Sequence, residues 1–287
     1  MQIGVVFPQT EIESDVGAIR AYAQGAETLG YAHLMAYEHV VGADPVVHSP
    51  WDGPYDVTST FQELFVLYGY LAAATSLELV TGVLVLPQRQ TTLVAKQAAQ
   101  VDQLTNGRFR LGVGVGWNTV EYQALGKEFG NRGKRIEEQI PLLRRLWTED
   151  SVTFDGTYER VVGAGINPLP VQRPIPIWMG GRSNPAYHRM GRLADGWIPE
   201  MEPGPDLDHA RAEVAHAAAR AGRDPSSLGM HGRVLWSDDL PSLLSGIETW
   251  RAAGATHLAV NTMKARLGGV DEQLRALARL SAELELA

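Results

Sequence analysis

Short, nearly continuous apolar runs alternate along this chain with longer stretches in which apolar residues recur every third or fourth position. The first pattern predicts strands buried on both faces, and the second predicts helices with one buried face. Strands are expected at 3–7, 33–37, 78–86, 109–115, 176–179, 196–199, 228–235 and 256–261. Helices are expected at about 15–29, 60–75, 92–104, 185–193, 206–221, 240–253 and 270–284. One more helical run carries Ile136, Ile140, Leu143 and Trp147 on a stripe. Pro141 falls inside it, and its missing N–H predicts a kink or a restart there. The segment VTFDGTYERV, with Asp155-Gly156 at its centre, predicts a small hairpin.

Strands alternating with helices in this way predict an α/β protein, a (β/α)8 TIM barrel. A doubly wound open sheet is the alternative. The length of 287 residues suits a single barrel domain over 1–287. Apolar residues make up 45% and charged residues 20%, enough to form a large core. Net charge is −8 and no basic stripe is visible, which argues against a nucleic-acid partner. The absence of cysteine excludes disulfides, thiolate nucleophiles and cysteine–zinc sites. No apolar run reaches the ~18 residues of a membrane span. No leader pattern opens the chain. A cytoplasmic protein with no membrane partner is the expectation, and no metal site is expected.

In a barrel the chemistry lies at the C-terminal ends of the strands. Those ends offer Phe7-Pro8-Gln9, Glu38-His39, Leu86-Pro87 with Arg89, Gly116-Trp117-Asn118, the run Met179–Asn184, Glu200, and Asn261 with Met263. Aromatics and amides dominate, which suits a flat aromatic ligand. In WMGGRSN, two glycines precede Ser183 and Asn184, either of which can cap a helix opened by Pro185. The N–H groups of such a helix start attract an anion such as phosphate, although a plain strand–helix turn has the same sequence. Adjacent Glu38 and His39 lack a second histidine at metal-ligand spacing. His39 is either a structural histidine or a proton-transfer group, since histidine titrates near neutrality. The GVGVG run at 112–116 lacks dinucleotide-fingerprint spacing, and there is no GxSxG elbow.

The stretches YEHVVG, TGVLVLPQRQTTLVAKQAAQVDQLTNGRFRLGVGVGWNTVEY, FDGTYERV, PLPVQRPIPIWMGGRSNPAYHRMGRLADGWIP and GATHLAV stand in this order. Together they closely resemble the bacterial-luciferase-like flavin and deazaflavin oxidoreductases, in particular the branch using coenzyme F420. The resemblance implies a TIM barrel with an insertion at about 151–174, before the fifth strand. It implies a cofactor ring across the mouth, near Phe7, Val83, Leu84, Gly116, Trp117 and Asn118. The phosphate tail is implied at Gly180, Gly181, Arg182 and Ser183. On this view the glycines at 112, 114 and 116 let the cofactor approach the strand. Glu38 and His39 match the catalytic acid–His pair, where Asp is commoner than Glu. A non-proline cis bond is implied between Val83 and Leu84. The implied activity is hydride transfer between coenzyme F420 and a small-molecule substrate, in a homo-oligomer, expected as a dimer. FMN-dependent monooxygenation is the first alternative and non-catalytic flavin binding the second.

Overall fold

The computed structural model describes residues 1–12 and 14–286. Its first half contains β1 (Gln2–Val6), α1 (Val16–Thr28), β2 (His33–Ala36), α2 (Leu64–Leu71), β3 (Glu78–Thr81), β4 (Leu84–Val85), α3 (Thr91–Leu104), β5 (Phe109–Gly114), α4 (Thr119–Ala124) and α5 (Arg132–Thr148). A hairpin, β6 (Val152–Asp155) and β7 (Arg160–Ala164), follows. The second half contains β8 (Ile177–Gly181), α6 (Asn184–Leu193), β9 (Gly196–Pro199), α7 (Pro205–Arg220), β10 (Gly229–Leu235), α8 (Leu240–Ala252), β11 (His257–Asn261) and α9 (Val270–Leu284).

Around the barrel every pairing is parallel. β1 lies between β2 and β11, β2 pairs β3, β3 pairs β5, and β5 pairs β8. From β8 the ladder runs through β9 and β10 to β11, so the ring closes. With β3 and β4 sharing one stave, this is the closed eight-strand barrel that the alternation predicts, and the open-sheet alternative is set aside.

Most of the core lies between strands and helices, where α5 alone buries Ile136, Ile140, Leu143 and Trp147. A smaller cluster fills the barrel interior: Val6, Met35, Val80, Trp178, Ile198, Ala259 and Met263. Burying each of its valine, isoleucine and methionine side chains stabilises the fold by about 1.5–3 kcal/mol relative to exposure. Tyr37 and Val83 pack on top of this plug and begin the mouth.

Four expectations need correction. The expected strand over 78–86 is interrupted: β3 ends at Thr81, pairing resumes at Leu84, and a 3-10 turn covers Leu86–Gln88. The non-proline cis bond joins Gly82 to Val83, not Val83 to Leu84, because Leu84 is already back in register with Val113. Helix α5 runs through Pro141 without a restart. The buried stripe holds it, and the partly exposed proline removes only one backbone donor. Helix α2 starts at Leu64, where Glu63 accepts from Val66 N–H, and is shorter than expected. Residues 60–63 are not helical, and Phe61 packs edge-on against the ring of His39.

Candidate functional site

The C-terminal strand ends enclose a cavity of about 610 Å³, within the size range of ligand and cofactor sites. One wall comes from the interrupted strand and β5: Val83, Val85, Val115, Gly116 and Trp117. Beside it stand Gly180–Ser183 at the end of β8, which pairs β5. Tyr37, Glu38, His39, Tyr55, Glu121, Arg132, Glu200 and Arg233 complete the lining.

The glycines in and just after β5 are explained by their neighbours rather than by open space. A Cβ at Gly112 would stand 1.9 Å from Thr81 O. One at Gly114 would meet a Val83 methyl at 2.5 Å, and one at Gly116 would meet Val85 at 2.7 Å. The interrupted strand therefore nests into β5, which brings Val83 and Val85 to the cavity wall. Gly180 takes part as well, since its Cβ would meet the other Val83 methyl at 2.9 Å. The expectation that these glycines open space for a cofactor is thus corrected. Gly181 is glycine for a second reason: its φ of +151° is strained for any other residue.

At the end of β8, Ser183 caps α6 by accepting from Ala186 N–H. Pro185 stands in the first turn. The start of this ten-residue helix opens onto the cavity, with Arg182 and Arg132 beside it. Arg182 is exposed and lies 3.7 Å from Asp206. Arg132 stacks on Phe129, and its buried Nε has no hydrogen-bond partner among the described residues.

At the end of β2, Glu38 and His39 diverge. Glu38 is buried at 4% exposure. It accepts from Val85 N–H and pairs with Arg89, which also reaches Glu63. Burial raises its pKa, against the opposing pull of Arg89 and the Val85 N–H. Glu38 thus fastens β2 to the interrupted strand. Arg89 is held in that pair and does not line the cavity.

His39 Nδ1 lies 3.6 Å from Glu121 Oε2. Glu121 is 1% exposed and stands at the third position of α4, whose cap is Asn118. Its carboxylate also accepts from the N–H groups of Val40 and Val41 and from Gln88. Burial pushes the Glu121 pKa up, but the His39 ring and these donors outweigh it and hold the group ionised. The other sides of His39 face aromatics: Phe61, Tyr55 and Trp117, with ring centroids 4.7–5.5 Å away. Trp51 reaches Trp117 in turn, so the loop between β2 and α2 folds over His39. Gln9 anchors this loop by donating to Tyr37 O and accepting from Gln62 N–H.

Of the residues the sequence singles out, His39, Glu38, Val83, Gly116, Trp117, Asn118, Gly180, Gly181, Arg182 and Ser183 share this one cavity. The side chains of Phe7 and Leu84 do not line it. Both are fully buried, and Phe7 packs on Tyr22. Asn118 lines the wall, but its side chain is consumed in capping α4. Sequence reasoning assigns no role to Tyr37, Glu121, Arg132 or Arg233. For Glu121 a signal exists: Asn118 and Glu121 have capping-box spacing.

The residues fit a flavin-like group on three counts. The cavity has an apolar wall for a flat ring. Trp117, 41% exposed, is available to stack on one. A helix start with Arg182 and an unpartnered Arg132 Nε suits a phosphate.

The chain is similar to known proteins over most of its length. An uncharacterised protein of Mycobacterium tuberculosis is 34% identical over 223 residues, 76% of this chain and 77% of that protein. The FMNH2-dependent dimethylsulfone monooxygenase of Pseudomonas fluorescens is 29% identical over 242 residues, covering 82% of this chain and 62% of that enzyme. The coenzyme F420-dependent tetrahydromethanopterin reductase of Methanopyrus kandleri shares the fold, with a TM-score of 0.79 at 14% identity, covering 98% of this chain and 97% of that one. Residues 1–279 match the luciferase-like monooxygenase family, and the chain belongs to that family.

Proposed function

We propose that this chain is an oxidoreductase that binds coenzyme F420 in the barrel mouth and transfers hydride between it and a small organic substrate. The observation that carries this reading is the composition of the cavity. The start of α6, an apolar wall and the His39–Glu121 pair line one cavity. The phosphate tail falls to Gly180, Gly181, Arg182 and Ser183, and its further anionic groups to Arg182 and Arg132. When bound, the cofactor supplies the hydride chemistry, and the barrel supplies position and electrostatics.

His39 holds or delivers the proton beside the reacting atoms. Glu121 stands on the Nδ1 side of the ring, leaving Nε2 for the substrate. Glu38 has no proton role in this scheme, because Arg89 and Val85 N–H occupy its carboxylate. It keeps the Val83–Val85 wall in place. The loop carrying Trp51 and Tyr55 excludes water from His39.

A second reading is monooxygenation with reduced FMN, favoured by the 29% identity to the dimethylsulfone monooxygenase. Fluorescence titration of the purified protein with coenzyme F420 and with FMN decides between them. Tighter binding of coenzyme F420 is expected. FMN binding about tenfold tighter, a difference of about 1.4 kcal/mol, reverses the order. If either cofactor binds but no donor or acceptor turns it over, a non-catalytic binding protein is the better description.

A further inference from the structure

Arg233 is the one cationic side chain that β10 sends into the cavity. Its only side-chain partner among the described residues is a phenol: Nη1 donates to Tyr37 Oη at 3.1 Å. The guanidinium also lies 5.6 Å from the centre of the Tyr37 ring. Tyr37 follows β2 and Arg233 lies in β10, with β11 and β1 between them in the sheet. The contact therefore crosses the barrel interior, above the plug formed by Met35, Ala259 and Met263.

The other arginines at this end are engaged. Arg89 has Glu38 and Glu63, Arg182 has Asp206, and Arg132 stacks on Phe129 and donates to its carbonyl. Arg233 has no carboxylate within 4.0 Å among the described residues. Glu200, on the same wall, is exposed and is not ion-paired with it. Tyr37 above all, and Glu200 from beyond ion-pair distance, favour the charged form of this guanidinium against the cost of burial, so the cavity is lined by a cation whose partner at hydrogen-bond distance is neutral. Its planar donor fork matches a carboxylate or sulfonate, which bind it through two parallel hydrogen bonds.

We propose that Arg233, oriented by Tyr37, is the docking point for an anionic oxygen group of the substrate, a carboxylate or a sulfonate. This rests on the cofactor reading, which gives the phosphate end of the cavity to Arg182 and Arg132. The acceptor is then a small organic acid that spans from Arg233 towards His39. Tyr37 acts as a positioning residue: its ring and hydroxyl hold the fork while the rest of the fork faces the cavity.

The test uses the cofactor-loaded protein and a panel of probes: acetate, benzoate, methanesulfonate and benzenesulfonate, against the neutral benzamide and dimethylsulfone. Binding is read by calorimetry and by perturbation of the cofactor absorbance. At least one acid should bind about 10- to 100-fold more tightly than its neutral counterpart, the range expected for a charge-assisted hydrogen-bonded pair. Arg233→Met should erase that preference while cofactor affinity stays within about twofold. Arg233→Lys, which keeps the charge but loses the fork, should retain part of it. Tyr37→Phe should weaken acid binding several-fold without touching the neutral probes. The proposal is overturned if no acid is preferred. It is also overturned if Arg233→Met leaves the preference intact, or if Arg233→Met and Arg233→Lys both lose the cofactor about tenfold or more, which makes Arg233 a cofactor ligand. Failure of the wild-type protein to bind either cofactor overturns the cofactor reading instead. In that case the same panel on the apoprotein still decides Arg233.

Discussion

The two ends of the barrel both bury ionisable groups, and they use them in opposite ways. At the N-terminal floor, His33 and His231 are fully buried with Nε2 atoms 3.0 Å apart, and the His257 ring lies within 5.9 Å of both. Trp178 packs against His257, and Arg110 stacks on Trp178 while pairing with Glu78. Gly4, Gly196 and Gly229 let these rings fit, since a Cβ at each would collide with His33 or Trp178. No group of His, Asp or Glu among the described residues is arranged to hold a metal. The floor is sealed. At the mouth, charged groups surround open space, and two of them, Arg132 and Arg233, have no ion-pair partner among the described residues. A buried histidine alone therefore does not mark a site. A cavity combined with an incompletely satisfied charge does.

The sharpest way to break this contrast is to alter a histidine at each end. His39→Ala should lower turnover by roughly 10²–10⁴-fold with cofactor affinity and melting temperature nearly unchanged. His231→Leu at the floor should leave turnover per folded molecule intact. Single-turnover kinetics and thermal melting on the same preparations check both. A destabilised His39→Ala with normal turnover would falsify the mouth assignment and make His39 a floor-like residue.

Next in size, Arg89→Met leaves the Glu38 carboxylate buried with only the Val85 N–H. Urea denaturation should show a loss of about 3–5 kcal/mol, typical of breaking a buried ion pair. A loss below about 1 kcal/mol would show that Glu38 is protonated in the native state, and that the pair does not hold the wall.

The floor makes a pH prediction. Burial first, then nearby positive groups, depress the pKa values of His33 and His231, and bring His257 to about 3. The unfolded chain therefore accepts protons that the folded chain refuses. The stability these neutral rings allow is complete above the unfolded histidine value of about 6.5 and is lost as pH falls towards the folded values. The slope should be about 1.4 kcal/mol per pH unit for each of His33 and His231. Denaturation at pH 7, 6 and 5 measures it, and His231→Leu should flatten it. An unchanged slope would move the effect to the carboxylates.

The smallest effect concerns Asn118. Asn118→Ala removes the cap of α4 and should cost about 1 kcal/mol, with cofactor affinity little altered. A large loss of affinity with little destabilisation would show that the amide contacts the ligand instead.

Much of the mouth was legible because barrel strands end where their apolar runs end. Glu38, Trp117 and Arg182 are each the first polar or aromatic residue past an expected strand, and His39 and Ser183 follow the first and the last of them. Arg233 was not legible for the converse reason. It sits inside an apolar run, where an arginine reads as a strand interior, and only barrel closure brings it to Tyr37. The interruption at Gly82 and Val83 was hidden in the same way, because "TGVLVL" reads as one continuous strand. The glycines in and after β5 were visible, but their purpose was misread. A missing Cβ shows that something comes close, and the sequence does not say whether it is a ligand or another strand. The helical histidines, His188, His209 and His216, are exposed, as their positions on polar faces suggest.

The nesting of Val83 has an evolutionary consequence. Its two methyls occupy the spaces left by Gly114 and Gly180, on two different strands. None of the three positions can grow alone. A lineage that placed alanine at 114 or 180 would have to shorten residue 83 at the same time, moving the wall that shapes the ligand. Among homologues, the three positions should therefore be inherited as a block, and a coordinated exchange at 83, 114 and 180 should mark a change of ligand.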